Sequence, residues 1–251
     1  MVDDWQEIRS WRKAQRAELI ARRLAVPDGQ RRAFNTAITA HIEAGFTLLR
    51  RMTVGFCWPF KGEFDARFAL RTFRERGATL ALPVVVAKAG PLQFRQWWPG
   101  APMSKGVYDI PIPADTEIVR PQAAIVPMNG FDARGYRLGY GGGYFDRTLA
   151  ALLPRPLAIG VAFECARVES IHPQAHDIAM DFVVTEAGIH EVTGEGLRAA
   201  DAMRCNQRCI ELCAARGLPG SDARQTGGFA SPPCYACDFP GYFGEGPNDG
   251  S

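Results

Sequence analysis

The segment Gly139-Tyr140-Gly141-Gly142-Gly143-Tyr144-Phe145-Asp146-Arg147 places four glycines within five positions. Such a run lets the backbone approach a polyanion closely, and consecutive N–H groups leading into a helix N-terminus can hold phosphate oxygens. Arg137 stands just before the loop, where a guanidinium would add a charged contact. Asp146 falls on the first helical turn after it, where a carboxylate oxygen could hold magnesium. Taken alone, the run is equally compatible with a tight strand-to-helix turn whose acid faces only the helix dipole.

The cysteines form a second group with chemical potential. Of seven, Cys57 and Cys165 are isolated, whereas Cys205, Cys209, Cys213, Cys234 and Cys237 crowd into the last fifth of the chain. The first three recur at i, i+4 and i+8 and would share one helix face, and Cys234-Tyr235-Ala236-Cys237 adds a CxxC. Two readings stand side by side. One is a zinc or redox site built from three or four thiolates, with Zn2+ as the bound ion. The other is a small helix docked by buried thiols, followed by the Pro-flanked aromatic stretch Ser231-Pro232-Pro233-Cys234-Tyr235. No G-x-S-x-G elbow, G-x-x-x-x-G-K-[ST] loop or H-E-x-x-H helix occurs.

The elements that must position these groups alternate in kind. Residues 5–24 read as an amphipathic helix ended by Pro27-Asp28-Gly29, and 30–43 as a second. Residues 46–56 read as extended, 65–76 as a helix stopped by Gly77, and 78–86 as a buried strand that must lie at an edge or end near Pro83. Ala123 to Pro127 is a short apolar strand leading toward the glycine loop, and a helix spans about 144–153. Residues 157–163 and 182–185 supply further strands, and an Ala-rich, Cys-bearing helix is expected over about 196–216. Apolar strands separated by helices predict an α/β domain with a mostly parallel sheet covered on both faces. That domain is expected over residues 1–195, with residues 196–251 as a Cys-rich extension.

Composition narrows the class further. An apolar fraction of 47% with 22% charged residues is that of a globular chain, and a net charge of +2 points to neither a nucleic-acid nor a membrane partner. The acidic start Met1-Val2-Asp3-Asp4-Trp5 lacks the order of a secretory signal, so a cytoplasmic location is expected.

The longer stretch Phe131-Asp132-Ala133-Arg134-Gly135-Tyr136-Arg137-Leu138-Gly139-Tyr140-Gly141-Gly142-Gly143-Tyr144-Phe145-Asp146 resembles the signature of 5-formyltetrahydrofolate cyclo-ligases, roughly F-D-x-x-G-x-R-L-G-x-G-x-G-Y-Y-D. Phe145 stands where the second Tyr is usual. Gly62-Glu63-Phe64-Asp65 resembles the family's G-E-[LV]-D-T, and His176-Asp177 through Asp181 to Glu186 its closing H-D-x-x-x-D-x-V-x-T-E. Tyr108-Asp109-Ile110-Pro111 is similar to an aromatic-x-Ile-Pro variant found in some members, and Trp58-Pro59-Phe60-Lys61 is one residue longer than the usual connection. The likeness runs over residues 9–186.

The resemblance implies a three-layer fold of the NagB/RpiA/CoA-transferase-like type and an ATP-dependent ligase that uses magnesium. It implies nucleotide contacts from Arg12 and Arg16 on the first helix, and from Arg137, Leu138, Gly139, Gly141, Gly142, Gly143, Tyr144 and Phe145. Glu63, Trp58, Tyr108, Tyr144 and Phe145 are implied at the folate, and Asp146 with Asp181 at magnesium. Arg137 and Asp146 are the expected catalytic pair, 5-formyltetrahydrofolate and ATP the expected partners, and a monomer the expected state. A sugar-phosphate isomerase or acyl-CoA transferase of the same shape would need a different signature. A folate- or nucleotide-binding module without turnover is the remaining alternative.

Overall fold

Most of the apolar runs form strands where predicted, because a segment buried on both faces has no use for alternation. Of the expected 46–56, however, only Thr53–Phe56 is strand, after a 3-10 turn at Thr47–Arg51. The computed structural model describes residues 5–218. Its strands are β1 (Thr53–Phe56), β2 (Thr79–Val84), β3 (Gln93–Trp97), β4 (Met103–Lys105), β5 (Pro111–Pro113), β6 (Ile118–Val119), β7 (Ala123–Pro127), β8 (Gly130–Phe131), β9 (Arg137–Leu138), β10 (Leu157–Val161), β11 (Phe182–Thr185), β12 (Gly188–Thr193) and β13 (Gly196–Ala200). The helices are α1 (Trp5–Leu24), α2 (Asp28–Gly45), α3 (Arg67–Glu75), α4 (Tyr144–Ala151) and α5 (Ala202–Arg216).

One nine-stranded sheet in the order β13-β12-β11-β10-β7-β1-β2-β3-β6 organises the chain. Its centre, β11-β10-β7-β1-β2, is parallel. Both margins are antiparallel, through β12 and β13 on one side and β3 and β6 on the other. The sheet is therefore mixed, with a parallel core. Hairpins β4–β5 and β8–β9 stand apart from it. Pro83 lies within β2 yet breaks no bond to β1, because that ladder ends at Gly55↔Ala81.

Period-2 alternation divides the buried side chains between two faces. Val54, Phe56, Ile125, Ile159, Phe182 and Val184 share a core with residues of α2, α3 and α5. Ala124, Val126, Ala158 and Val183 share the other with Leu149 of α4 and Phe131 of β8. Leu19 of α1 joins Leu138 and Ile171 in a smaller cluster. Helices thus cover both faces.

The boundary expected at 195 does not divide this body. It falls in the turn between β12 and β13, which pair from Ile189↔Ala200 to Thr193↔Gly196. The helix expected from 196 begins only at Ala202, where the Asp201 carboxylate accepts from the Arg204 N–H at 2.7 Å. Residues 196–200 are strand because the β12 edge offers them a ladder. Helix α5 then packs Cys205, Cys209 and Cys213 into the main core.

Candidate active site

In an open α/β sheet, the crevice for a ligand lies beyond the carboxyl ends of parallel strands where the strand order reverses. Here the chain passes from β1 to β2 on one side and later returns to β7 on the other. The reversal point is therefore between β1 and β7. The segment after β1 carries Trp58 to Glu63, and the segment after β7 carries Asn129, the β8–β9 hairpin and the glycine loop. Topology alone brings the two most specific sequence motifs to one crevice.

The glycine loop keeps its N–H groups available. Among the described residues, the amides of Gly139 to Gly143 donate to no protein acceptor. Gly141 (φ 98°) adopts a conformation that side-chain-bearing residues rarely take. At Gly142 a Cβ would come within 2.7 Å of the Tyr144 ring, so that ring lies directly against the loop. Gly143 begins α4 with no side chain capping the first turn, which leaves the helix's first N–H groups for a ligand.

Two arginines border the loop. Arg16 Nε donates to the Gly139 carbonyl at 2.9 Å, and the Arg16 guanidinium would lie 3.3 Å from a Cβ on Gly141. Burial and the nearby Arg12 lower its pKa. Arg147 donates to the Gly142 carbonyl and lies over the Tyr144 ring. Sequence reasoning assigns Arg147 no role, although its position one turn into the helix puts it back over the loop.

Other expected phosphate ligands are occupied as braces. Arg137 makes a two-pronged ion pair with Asp146, at 2.8 and 3.2 Å, and its side chain is 4% exposed. Because Arg137 precedes the loop and Asp146 follows it, this pair ties the two ends of the loop together. Asp146 Oδ1 also accepts from the Ile178 N–H at 3.1 Å. Arg12 is buried and reaches the carbonyls of Ile171 and His172, and it pairs with Asp177 at 2.5 Å. Burial alone would raise the Asp177 carboxyl, but the Arg12 contact and the Gln174 N–H hold it below its usual range. Arg12 therefore anchors the 171–177 segment. Leu138 is buried with Leu19 and Ile171. Phe145 packs on the second core beneath Arg137, so it supports the loop from within.

Asp181 is not brought to Asp146. It lies where β10 and β11 begin, and its carboxylate accepts from the Ala158 N–H, from Arg155, and from Arg216 at 2.8 and 2.5 Å. Two guanidinium groups already neutralise it, and Arg137 neutralises Asp146. As a pair these acids do not fit magnesium, which binds oxygen ligands in an octahedron. The described residues contain no cluster of three or more Asp, Glu, His or Cys groups able to hold a metal.

Across the crevice, Glu63 is buried and held from three sides. Its Oε1 accepts the Tyr140 hydroxyl at 2.7 Å, its Oε2 accepts the Phe60 N–H at 3.1 Å, and Arg23 lies 3.9 Å away. Burial pushes the Glu63 carboxyl up, against the opposing pull of these partners. Arg23 also donates to the Lys61 carbonyl, to Asn129 Oδ1 and to the Tyr140 hydroxyl. Among the described residues, Asn129 Nδ2 is buried without a partner. Sequence reasoning misses both Arg23 and Asn129. The available signal was the α1 stripe Ile8, Arg12, Leu19 and Arg23, which is buried. A buried arginine on such a stripe requires a specific acceptor.

Of the other expected folate contacts, Trp58 lies on the crevice segment after β1 and Tyr108 on the β4–β5 hairpin. Trp58 packs under the Arg67 guanidinium at 4.4 Å and edge-on to Trp97, as part of the main core surface. Tyr108 sits 78% exposed at the tip of the β4–β5 hairpin. The zinc reading fails for the helix cysteines. Cys205, Cys209 and Cys213 are buried among apolar side chains, and desolvation raises Cys213 to about 11. Their thiols pack as small apolar groups. Cys234 and Cys237 lie outside the described residues. No described helix is long and apolar enough to cross a membrane.

Comparison with known proteins bears on this arrangement. Residues 8–186 match the 5-formyltetrahydrofolate cyclo-ligase family. A 5-formyltetrahydrofolate cyclo-ligase of Mycolicibacterium smegmatis is 30% identical over 179 residues, which is 68% of this chain and 91% of that protein. One from Escherichia coli K12 is 32% identical over 146 residues, 55% of this chain and 80% of that one. Among solved structures, the Aquifex aeolicus 5,10-methenyltetrahydrofolate synthetase superposes with a TM-score of 0.63 at 26% identity, covering 74% of this chain and 96% of that one. A synthetase of the same description from Mycoplasma pneumoniae shares the fold, with a TM-score of 0.58 at 20% identity, over 70% of this chain and 98% of its own.

Proposed function

The chain belongs to the 5-formyltetrahydrofolate cyclo-ligase family, and we propose that it converts 5-formyltetrahydrofolate to 5,10-methenyltetrahydrofolate with ATP consumed to ADP and phosphate. The observation that carries this reading is the crevice between β1 and β7, where a loop with undirected N–H groups faces a buried carboxylate held by Tyr140. One side suits a triphosphate and the other the N–H edge of a pterin.

The chemistry needs positioning more than side-chain participation. The formyl oxygen of the folate attacks the γ-phosphorus, and the bond to ADP breaks. The resulting iminium phosphate, its carbon still bonded to N5, carries a good leaving group on that carbon. N10 then attacks that carbon, loses its proton, and expels phosphate, which takes the original formyl oxygen. In this scheme the amides of Gly139 to Gly143 and the start of α4 hold phosphate oxygens, with Arg16 and Arg147 supplying charge at the loop's border. Arg137 and Asp146 keep the loop in shape. Tyr144, lying on Gly142, forms the wall between the two substrates. Glu63 orients the folate. Asp146 and Asp181 are each taken up by arginines and share no partner, so they act in this scheme as braces.

The test is the absorbance gain of the methenyl product when the full chain receives 5-formyltetrahydrofolate with ATP. The reading requires a gain that depends on ATP and is matched by ADP release. Binding of both ligands without product would leave a folate-binding module in its place.

A further inference from the structure

Tyr140 is the one side chain of the glycine loop that reaches across the crevice. It lies between Gly139 and Gly141, its ring meets the Phe60 ring at 5.7 Å, and its hydroxyl sits between Glu63 and Arg23 at 2.7 and 3.0 Å. The groups facing Glu63 are therefore Arg23 from α1, Tyr140 from the loop, and Cys57 with the Phe60 N–H from its own segment. Burial raises the Tyr140 phenol, as does the charge of Glu63, so the hydroxyl keeps its proton and donates.

This geometry makes one residue a member of both half-sites. Its backbone belongs to the loop, and Arg16 fixes the preceding carbonyl of Gly139. Its hydroxyl supplies one of the hydrogen bonds on the Glu63 carboxylate. We propose that Tyr140 is a positioning residue that couples nucleotide binding in the loop to folate recognition at Glu63, so that each ligand strengthens binding of the other.

The inference rests on the function proposed above. Phosphate held by the loop amides fixes the Tyr140 peptide and, through it, the hydroxyl on Glu63. Folate then meets a carboxylate whose partner is already ordered, and the ordering cost is not charged a second time. Linkage requires the effect to be equal in both directions. Replacing the hydroxyl alone breaks the coupling, while the ring stays against Phe60.

The experiment is calorimetric titration of the full chain and of Tyr140→Phe, with 5-formyltetrahydrofolate and the non-transferable analogue β,γ-imido-ATP, each alone and in the presence of the other. In the wild type the analogue should lower the folate Kd about 5-fold or more, with the same factor in reverse. In Tyr140→Phe the factor should fall to about one. A merely structural role for the hydroxyl would weaken each ligand alone and leave the factor unchanged, which overturns the inference. So does a wild-type chain that binds both ligands with no coupling. A wild type that binds neither ligand removes the proposed function and the inference with it.

Discussion

The two ends of the parallel sheet each hold buried acids facing arginines, and they use them differently. At the amino ends of β10 and β11, Asp181 accepts from Arg155, from Arg216 and from the Ala158 N–H, and its side chain is 6% exposed. Every lone-pair direction that a second ligand would need is committed to the fold. At the carboxyl ends of β1 and β7, Glu63 has one arginine at 3.9 Å and a hydroxyl carried on a glycine-flanked loop. Its carboxyl is pushed up by burial, so its charge is only partly compensated. Clamped acids build scaffolds. An acid with fewer of its lone-pair directions taken has capacity left for a substrate.

This contrast can be broken at either end, and the largest effect should come from the clamp. Asp181→Ala leaves Arg216 facing an empty, buried position, and Arg155 partly so. It should cost about 3 kcal/mol in denaturant unfolding, near the lower end for a broken buried pair because Arg155 keeps contact with water. The folded fraction should retain its KM for both substrates. A raised KM for ATP would return Asp181 to the site.

The smaller effect sharpens the other end. Glu63→Gln keeps the shape and removes the charge, and it should lower kcat/KM for 5-formyltetrahydrofolate roughly 10- to 100-fold. The pH profile supplies the sign. Burial raises the Glu63 carboxyl, so a reaction needing the carboxylate loses rate as pH falls through a value above the ordinary carboxylate range. Glu63→Gln should lack that acid limb. An unchanged limb would assign it to another group.

Much of the parallel core was legible because continuously apolar runs such as Ala123 to Pro127 have one stable use in an α/β domain. Strands β12 and β13 were not. Gly188–Thr193 and Gly196–Ala200 mix polar and apolar residues, and each becomes a strand only because the neighbouring edge exists. That missed hairpin is also why composition and pattern put the domain's end at 195. In the site, the glycine loop was readable from residue type and spacing and Glu63 only through the resemblance of Gly62–Asp65 to the family's G-E-[LV]-D-T element, whereas the division of labour among arginines was in neither. Arg12, Arg16 and Arg23 lie along α1 as equivalents in sequence. In the fold one anchors the 171–177 segment, one borders the loop, and one braces Glu63. The difference lies in which distant carbonyl or carboxylate each meets, and no local pattern encodes that. The cysteine spacing left two readings open for a related reason, since i, i+4, i+8 marks a shared face whether that face meets a metal or a core, and the fold takes the helix docked by buried thiols.

The location of the site is the central claim, and hydrogen–deuterium exchange of the full chain tests it most directly. With 5-formyltetrahydrofolate and β,γ-imido-ATP bound together, amides at 57–63 and 137–147 should slow relative to the free protein, while those at 155–158 and 181–184 should not change. Protection confined to the Asp181 end of the sheet would contradict the account.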